Sequence, residues 1–454
     1  MKHDMQDIEL NDNERYPTLS EHGRQMLDHL MQHPHAPVLR NRAGNRLTAD
    51  DIARVHALDA SVTGADFAVL GDGKPAWLSA FVKRVYTQVP FFRLRGAVPP
   101  IFEDITPISR ADLAADIAQF VPDDVALDRL INFRTSGTTG HPLVIPSHPL
   151  VAASYLPFYK RALRRFGVTL RGGRGSVCVA LLGYQRQCFT YASVAPTLDE
   201  AGYVKLNLHP DDWRDPADRA HYLDALRPEI LSGDPISFAA LLELPMTWKP
   251  RALVSTAMGL TPTLRAQLEV RFECPVLDVY SMSECGPIAV ADARTGGHVL
   301  LQPQLYVEIL DAFDTKGRRC APGERGEITL TGGFNFCLPL LRYRTGDYAS
   351  LKWLDDEPVL FGLEGRAAVR FRAADGQWVN NVEITHALRP LPLQQFRLHQ
   401  QADGACRFEY AALEDLDMAV IGVLRGLFGS NAKLSATRRR FDGEKVVQYT
   451  TDLI

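Results

Sequence analysis

One window gathers the residue types that could hold an anion: NFRTSGTTGHPLVIPSHP, which starts at Asn132 and sets Thr135, Ser136, Gly137, Thr138, Thr139 and Gly140 in a row. A Ser/Thr/Gly loop between a strand and a helix, the setting expected here, can aim several backbone N–H groups and hydroxyls at one point, and so hold phosphate without a buried cation. Gly137 and Gly140 supply the permissive backbone. The same cluster also reads as a plain turn, and it lacks the G-x-x-x-x-G-K-[ST] pattern of the ATPase P-loop. A second set, Cys274, Cys285, His298, Cys320 and Cys337, offers zinc-type ligands. Its spacing is irregular and has no C-x₂₋₄-C clamp, which points to buried free thiols instead. The HPHAP stretch at 33–37 reads most simply as a surface loop.

These residues need a large scaffold to position them. At 454 residues the chain can bury a sizeable core and is expected to form one big and one small domain. It is 46% hydrophobic and 23% charged with a formal net charge of −4, which excludes disorder and offers no broad attraction to nucleic acid or anionic lipid. Seven cysteines without a C-x-x-C pair suggest a reducing compartment. The polar start MKHDMQDIELNDNERYP lacks the apolar stretch of a secretory signal, and no apolar run approaches the ~18–20 residues of a membrane span. A cytoplasmic protein is the expectation.

The spacing of Leu27, Leu30 and Met31 predicts a helix, and Thr48 stands where LTADDIARVHAL needs a cap. A helix, a Pro-rich crossing and a second helix starting near Ser109 follow. Beyond Asn132, runs such as SVCVALLGY, RALVSTA and CPVLDVY alternate with helical stretches such as ADRAHYLDALRP and TPTLRAQLEVRF. That alternation predicts α/β layers on a largely parallel sheet. After Gly346 the pieces become short and strand-like, with one helical run and a final strand pair around FDGEKVVQYTT.

Six segments, in order, carry a resemblance: TSGTTGHP at 135–142, STAMGLTPTLR at 255–265, DVYSMSECG at 278–286, GERGEI at 323–328, LLRYRTGD at 340–347 and GLEGR at 362–366. They resemble the successive core motifs of the adenylate-forming (acyl- and aryl-CoA synthetase, AMP-binding) superfamily. VPFFRLR, the PLLRYRTGD wording and the ADG-x-x-V-x-x-x-E turn are similar to its phenylacetate-CoA ligase-like branch. The resemblance covers the chain from about Trp77 to the end. It implies an α/β fold with a large N-terminal domain of layered α/β sheets plus a small mobile α+β C-terminal domain. The expected divisions are 1–76 as a helical extension, 77–362 as the core and 363–454 as the small domain.

The implied reaction has two steps: ATP activates a small carboxylic acid, aromatic by the branch it resembles, as an acyl-adenylate with release of pyrophosphate, and a thiol of CoA or of a phosphopantetheine carrier then takes the acyl group. Thr135 to Gly140 would cradle pyrophosphate. Glu284 falls at the Mg²⁺ carboxylate and Ser283 at the hydroxyl beside the α-phosphate. Ala257, Met258, Asp278 and Tyr280 would border adenine, and Asp347 and Arg366 the ribose, although Asp347 alone also reads as a turn residue. Lys445 in FDGEKVVQY matches the lysine that reaches the attacking carboxylate, against the commoner fate of a solvated surface lysine. Tyr184, Phe189, Tyr191, Asp234, Pro235 and Phe238 are acid-pocket candidates that could equally be core. Expected partners are the acid, an acyl carrier protein as one acceptor option and a second copy of the chain as another option, with neither nucleic acid nor membrane.

Three departures mark this chain. His141 replaces the loop lysine, Met258 replaces an acidic residue on the adenine side, and Ala367 and Ala368 stand where a hinge Asp is common. The hinge change keeps open an amine or other nucleophile as acceptor. The first two keep open a non-catalytic nucleotide-binding homologue.

Overall fold

Runs rich in Val, Leu and Ile become strands wherever a helix carries the chain back over the sheet, and hairpins wherever the connection is short. The computed structural model describes residues 10–64, 66–67, 73–134, 143–185, 188–312, 314–364, 370–388, 390–441 and 446–453. Strands β1 (Ile131–Arg134) and β2 (Val144–Ser147) form an antiparallel pair in which Arg134 faces Val144. Twelve strands build the main sheet: β3 (Val177–Gly183), β4 (Tyr191–Ala195), β5 (Ala201–Asn207), β6 (Ile230–Gly233), β7 (Ala252–Ser255), β8 (Val276–Met282), β9 (Gly286–Asp292), β10 (Gly297–Leu300), β11 (Leu305–Leu310), β12 (Gly326–Gly332), β13 (Leu340–Leu354) and β14 (Glu357–Glu364). Their order is β11-β12-β13-β14-β10-β9-β8-β7-β6-β3-β5-β4.

The sheet is mixed, which corrects the expectation of a largely parallel one. Strands β5, β3, β6, β7 and β8 are parallel neighbours, and the remaining pairs are antiparallel. The helices Asp218–Leu226, Pro235–Leu242 and Pro262–Phe272 lie between successive parallel strands. From Ser283 to Glu364 no helix intervenes among the described residues: β9, β10, β12, β13 and β14 each lie beside the strand before them, whereas β11 moves to the far edge of the sheet. Strand β8 belongs to both regimes: Val276 to Asp278 follow β7, and Val279 to Met282 pair with β9.

Three apolar clusters support this sheet. The helix Tyr155–Arg165 packs Ala162 and Leu163 against Cys178, Val254 and Leu277. Leu78, Val82 and Phe92 pack with Ile288, Leu330 and Leu341. The helix Glu21–Gln32, capped by Ser20, buries Met26, Leu27 and Leu30 with Val204 and Leu206. Met31, expected on the buried stripe, is 49% exposed, and Met26 takes the inward position one turn earlier. Thr48 does cap the helix Ala49–Thr63, with Asp51 answering from its third residue.

The C-terminal part has its own core of Phe371, Leu398, Phe408, Val420, Leu424 and Phe428. A hairpin, β15 (Arg370–Arg372) with β16 (Trp378–Asn380), precedes a four-stranded sheet of β17 (Gln395–Gln400), β18 (Cys406–Ala411), β19 (Leu434–Arg438) and β20 (Tyr449–Thr451) in the order β19-β18-β17-β20. The last two strands do not pair with each other, contrary to the expected terminal hairpin. Each runs parallel to an inner strand, on opposite edges of the sheet. Among the described residues no helix is long and apolar enough to cross a membrane.

Candidate active site

The parallel strands end level with one another. Gly233 of β6 pairs with Ser255 of β7, and Ser255 pairs with Asp278 of β8. Segments leaving the carboxyl ends of such strands are where open α/β sheets place ligands. This edge therefore brings together Tyr184 after β3, Asp234 and Pro235 after β6, Ala257 and Met258 after β7, and Asp278 and Tyr280 within β8. Ala257 is exposed with φ +70°, a left-handed conformation that costs a side-chain-bearing residue about 1–3 kcal/mol and recurs at functional sites.

Glu284 sits in the turn joining β8 to β9 and is only 3% exposed. Tyr343 donates its hydroxyl to Glu284 Oε1 at 3.0 Å, and the Arg110 guanidinium lies 3.6 Å from the same oxygen. Asn335 ties the backbone carbonyls of Glu284 (3.3 Å) and Pro146 (3.2 Å), which fixes this turn to the end of β2. The Tyr155 hydroxyl donates to the Ser283 carbonyl at 3.3 Å. Burial, reinforced by the Glu284 carboxylate, holds Tyr343 well above the ordinary tyrosine range, so it remains a donor.

Asp347 lies across the site on β13, and the Tyr280 hydroxyl donates to its Oδ2 at 2.7 Å. Burial, followed by the charge of Asp347, keeps Tyr280 protonated. The RTGD turn before Asp347 is pinned by Glu327 of the GERGEI segment, which accepts from the Gly346 N–H at 3.0 Å and pairs with Arg344 at 2.8 Å. Gly346 has φ +78°, a conformation that suits glycine. Beneath it Arg342 is fully buried, bonding both oxygens of Glu308 (3.2 and 3.1 Å) and the carbonyls of Glu103 (2.6 Å), Ile105 (2.8 Å) and Gly317 (2.9 Å). Burial pushes Glu308 up, and Arg342 opposes that shift.

Asp278 is raised to about 6 by burial, with Arg265 pulling the other way. His298 Nε2 stands 4.0 Å from its Oδ2 and is lowered to about 4 by burial. On the acid-pocket side, Tyr184 lies against the His209 ring (5.4 Å between centroids), and Tyr191 contacts both Phe189 (5.6 Å) and Tyr203 (6.5 Å). Phe189 is 54% exposed, whereas Phe238 is fully buried among Leu241, Leu244 and Leu253. Asp234 caps the helix Pro235–Leu242 by accepting from the Ser237 N–H at 2.7 Å, and burial raises its carboxyl. All seven cysteines are free, and Cys274, Cys285, Cys320 and Cys337 form no metal-type cluster with His298 among the described residues.

The small domain reaches this edge directly: the Val446 N–H points at Met258 Sδ, 3.3 Å away. Thr261 Oγ1 donates to the Gln394 carbonyl at 3.2 Å, and Gln394 Nε2 donates to Gln267 at 2.7 Å. Lys445, the Thr135, Ser136, Gly137, Thr138, Thr139 and Gly140 window with His141, and Arg366 with Ala367 and Ala368 lie outside the described residues. The residues that position Glu284 and Asp347 escaped the sequence reading. Tyr343 carried a signal, because it shares a strand face with Thr345 and Asp347 at two-residue spacing. Arg110, far from Glu284 in sequence, carried none.

Over 94 residues, 20% of this chain and 21% of the relative, the chain is 34% identical to phenylacetate-coenzyme A ligase of Escherichia coli (strain K12), so the match spans about a fifth of that protein. A crystal structure of 2-hydroxyisobutyryl-CoA ligase in the postadenylation state with 2-HIB-AMP shares its fold, with TM-score 0.63, 17% identity and coverage of 88% of this chain and 90% of that one. The same ligase in an open conformation with 2-HIB-AMP and CoA gives a TM-score of 0.54 at 17% identity, covering 92% of this chain and 99% of that one. The AMP-binding enzyme family model matches residues 104–336, just over half of the sequence and the span from the Arg342-bound loop to the Glu284 turn and Asn335; the chain belongs to the AMP-binding enzyme family.

Proposed function

We propose that this protein is an AMP-forming ligase: a carboxylate oxygen of a small acid attacks the α-phosphorus of ATP, the bond to pyrophosphate breaks, and the acyl group then passes from AMP to the thiol of CoA. The observation that carries the reading is the Tyr280–Asp347 bond at the carboxyl edge of the parallel strands, followed along the chain by the turn that buries Glu284 against Tyr343. A buried carboxylate next to a serine hydroxyl is the hard oxygen donor set that Mg²⁺ prefers, so Glu284, steadied by Tyr343 and Arg110, fits the ion. Mg²⁺ would supply neutralisation of the pyrophosphate charge.

The chain's own groups would divide the rest. Thr135, Ser136, Gly137, Thr138, Thr139 and Gly140 donate to the phosphates, Asp347 and Arg366 hold ribose, and Asp278, Tyr280, Ala257 and Met258 border the base. Lys445 stabilises negative charge at the attacked phosphate; its immediate neighbour Val446 already touches Met258 at that edge. Tyr184 and Tyr191 are assigned to the acid pocket as its aromatic surface, and with the partial relative's name this assignment supports a small aromatic acid as substrate. A carrier-bound phosphopantetheine is the alternative thiol.

The test is pyrophosphate release with ATP, Mg²⁺ and a panel of arylacetic, benzoic and short aliphatic acids, with and without CoA. Acid-dependent release and an acyl-CoA product support the reading. Silence across the panel would remove it, and an acyl-adenylate that ignores CoA would reassign the acceptor.

A further inference from the structure

On the opposite side of the β6 crossover, His35 and two residues of the helix Asp218–Leu226 bring three ligand atoms together. The His35, Asp218 and His221 ligand atoms all lie within 4.8 Å of one another. His35 Nδ1 is 2.5 Å from Asp218 Oδ1, and His221 Nδ1 is 3.8 Å from the same oxygen. The helix sets this up, because Asp218 and His221 are three apart in its first turn and share a face. The strand of chain bearing His35 is held independently: the Tyr222 hydroxyl donates to the Leu30 carbonyl at 2.6 Å, Val38 N–H donates to the Asp212 carbonyl at 2.9 Å, and Arg40 pairs with Asp212.

We propose that His35, Asp218 and His221 bind a borderline divalent cation of the zinc class, with water completing the shell. Two imidazoles and one carboxylate suit Zn²⁺ or Co²⁺ over the hard cations. Metal–ligand bonds of about 2.0–2.1 Å place tetrahedral ligands roughly 3.3 Å apart. The His221–Asp218 separation already lies within 0.5 Å or so of that edge, and the His35–Asp218 contact need only open by under ~1 Å. The three side chains are half-buried to exposed, so the ion can enter from solvent. The site is remote from the nucleotide residues in sequence and does not depend on the ligase reading. Its effect would be to fasten residues 33–37 to the helix Asp218–Leu226.

The experiment titrates metal-stripped full-length protein with Co²⁺ alone, and then displaces it with Zn²⁺. A visible d–d band saturating at about one Co²⁺ per chain and a rise in melting temperature with Zn²⁺ are expected. His35→Gln, Asp218→Asn and His221→Gln should each weaken binding by about tenfold or more, while His29→Gln leaves it unchanged. His221→Cys should keep the ion and add a sulfur charge-transfer band. The proposal is overturned by the absence of a band, by an isotherm unchanged in the H35Q/H221Q double variant, or by His221→Cys giving no sulfur band.

Discussion

The two sides of the candidate site are held in different ways. On the large-domain side, Asp347 stands above Arg342, whose guanidinium is 0% exposed and engages a carboxylate and three carbonyls. On the small-domain side, the contacts are a sulfur accepting one N–H, two side-chain hydrogen bonds and the Arg440–Glu243 pair at 65% and 59% exposure. A buried network of that kind is lost only by unfolding locally, whereas a few part-buried hydrogen bonds and one exposed ion pair are each worth little. The first side is built to keep its geometry; the second is built so that docking costs little to undo. The reaction proposed above, activation of an acid followed by entry of a thiol, would draw on both.

The comparison breaks most visibly at Arg342. Arg342→Met leaves Glu308 buried without its partner and should cost roughly 3–5 kcal/mol, read as a shift in the urea midpoint. A loss below about 1 kcal/mol would mean the network is not what fixes β13. Lys445→Ala should lower acid-dependent pyrophosphate release by about 10²–10³ without moving the melting temperature, as expected of a charge that acts in the transition state. Equal rates would dissociate Lys445 from the chemistry.

A third prediction concerns Asp278 and His298, which titrate in opposite senses. His298, lowered to about 4, contributes stability that is present above pH 6.5 and is lost as pH falls toward 4. Asp278, raised to about 6, favours the folded state increasingly as pH falls from 6 toward 3.8. His298→Asn should therefore make stability rise between pH 6 and 4 relative to the parent, and Asp278→Asn should make it fall more steeply; parallel curves would contradict the pairing. Tyr343→Phe should raise the Mg²⁺ concentration for half-maximal activity by about tenfold with little change in folding, since it orients Glu284 without touching the ion. Arg440→Ala should change stability by less than about 1 kcal/mol, the contrast with Arg342 that the two kinds of contact demand.

The segments DVYSMSE and RTGD pointed to Tyr280, Glu284 and Asp347 through their resemblance to family motifs, and the fold brings Tyr280 and Asp347 into one hydrogen bond. What makes them one site is cross-chain bonding, and a linear pattern holds no record of Arg110 approaching Glu284 or of Glu327 holding Gly346. The mixed sheet was hidden for a related reason: apolar runs look alike whether a helix or a three-residue turn follows, and the turn at Ser283 to Cys285 is what reverses the chain. Met31 shows the limit of a narrow stripe, since one step around the helix moved the inward position to Met26. The terminal strands were misjudged because FDGEK reads as a hairpin turn, although β19 and β20 find better partners on opposite sides of the small sheet.

Arg342 also sets a schedule for the growing chain. Its bond to the Glu103 carbonyl spans 239 positions, so at roughly 5–20 residues per second the ribosome needs about 12–48 s between making the acceptor and making the donor. Until then the carbonyls of Glu103 and Ile105 are without this donor, and the loop that carries them must wait, solvated, for a single late side chain to lock it in place.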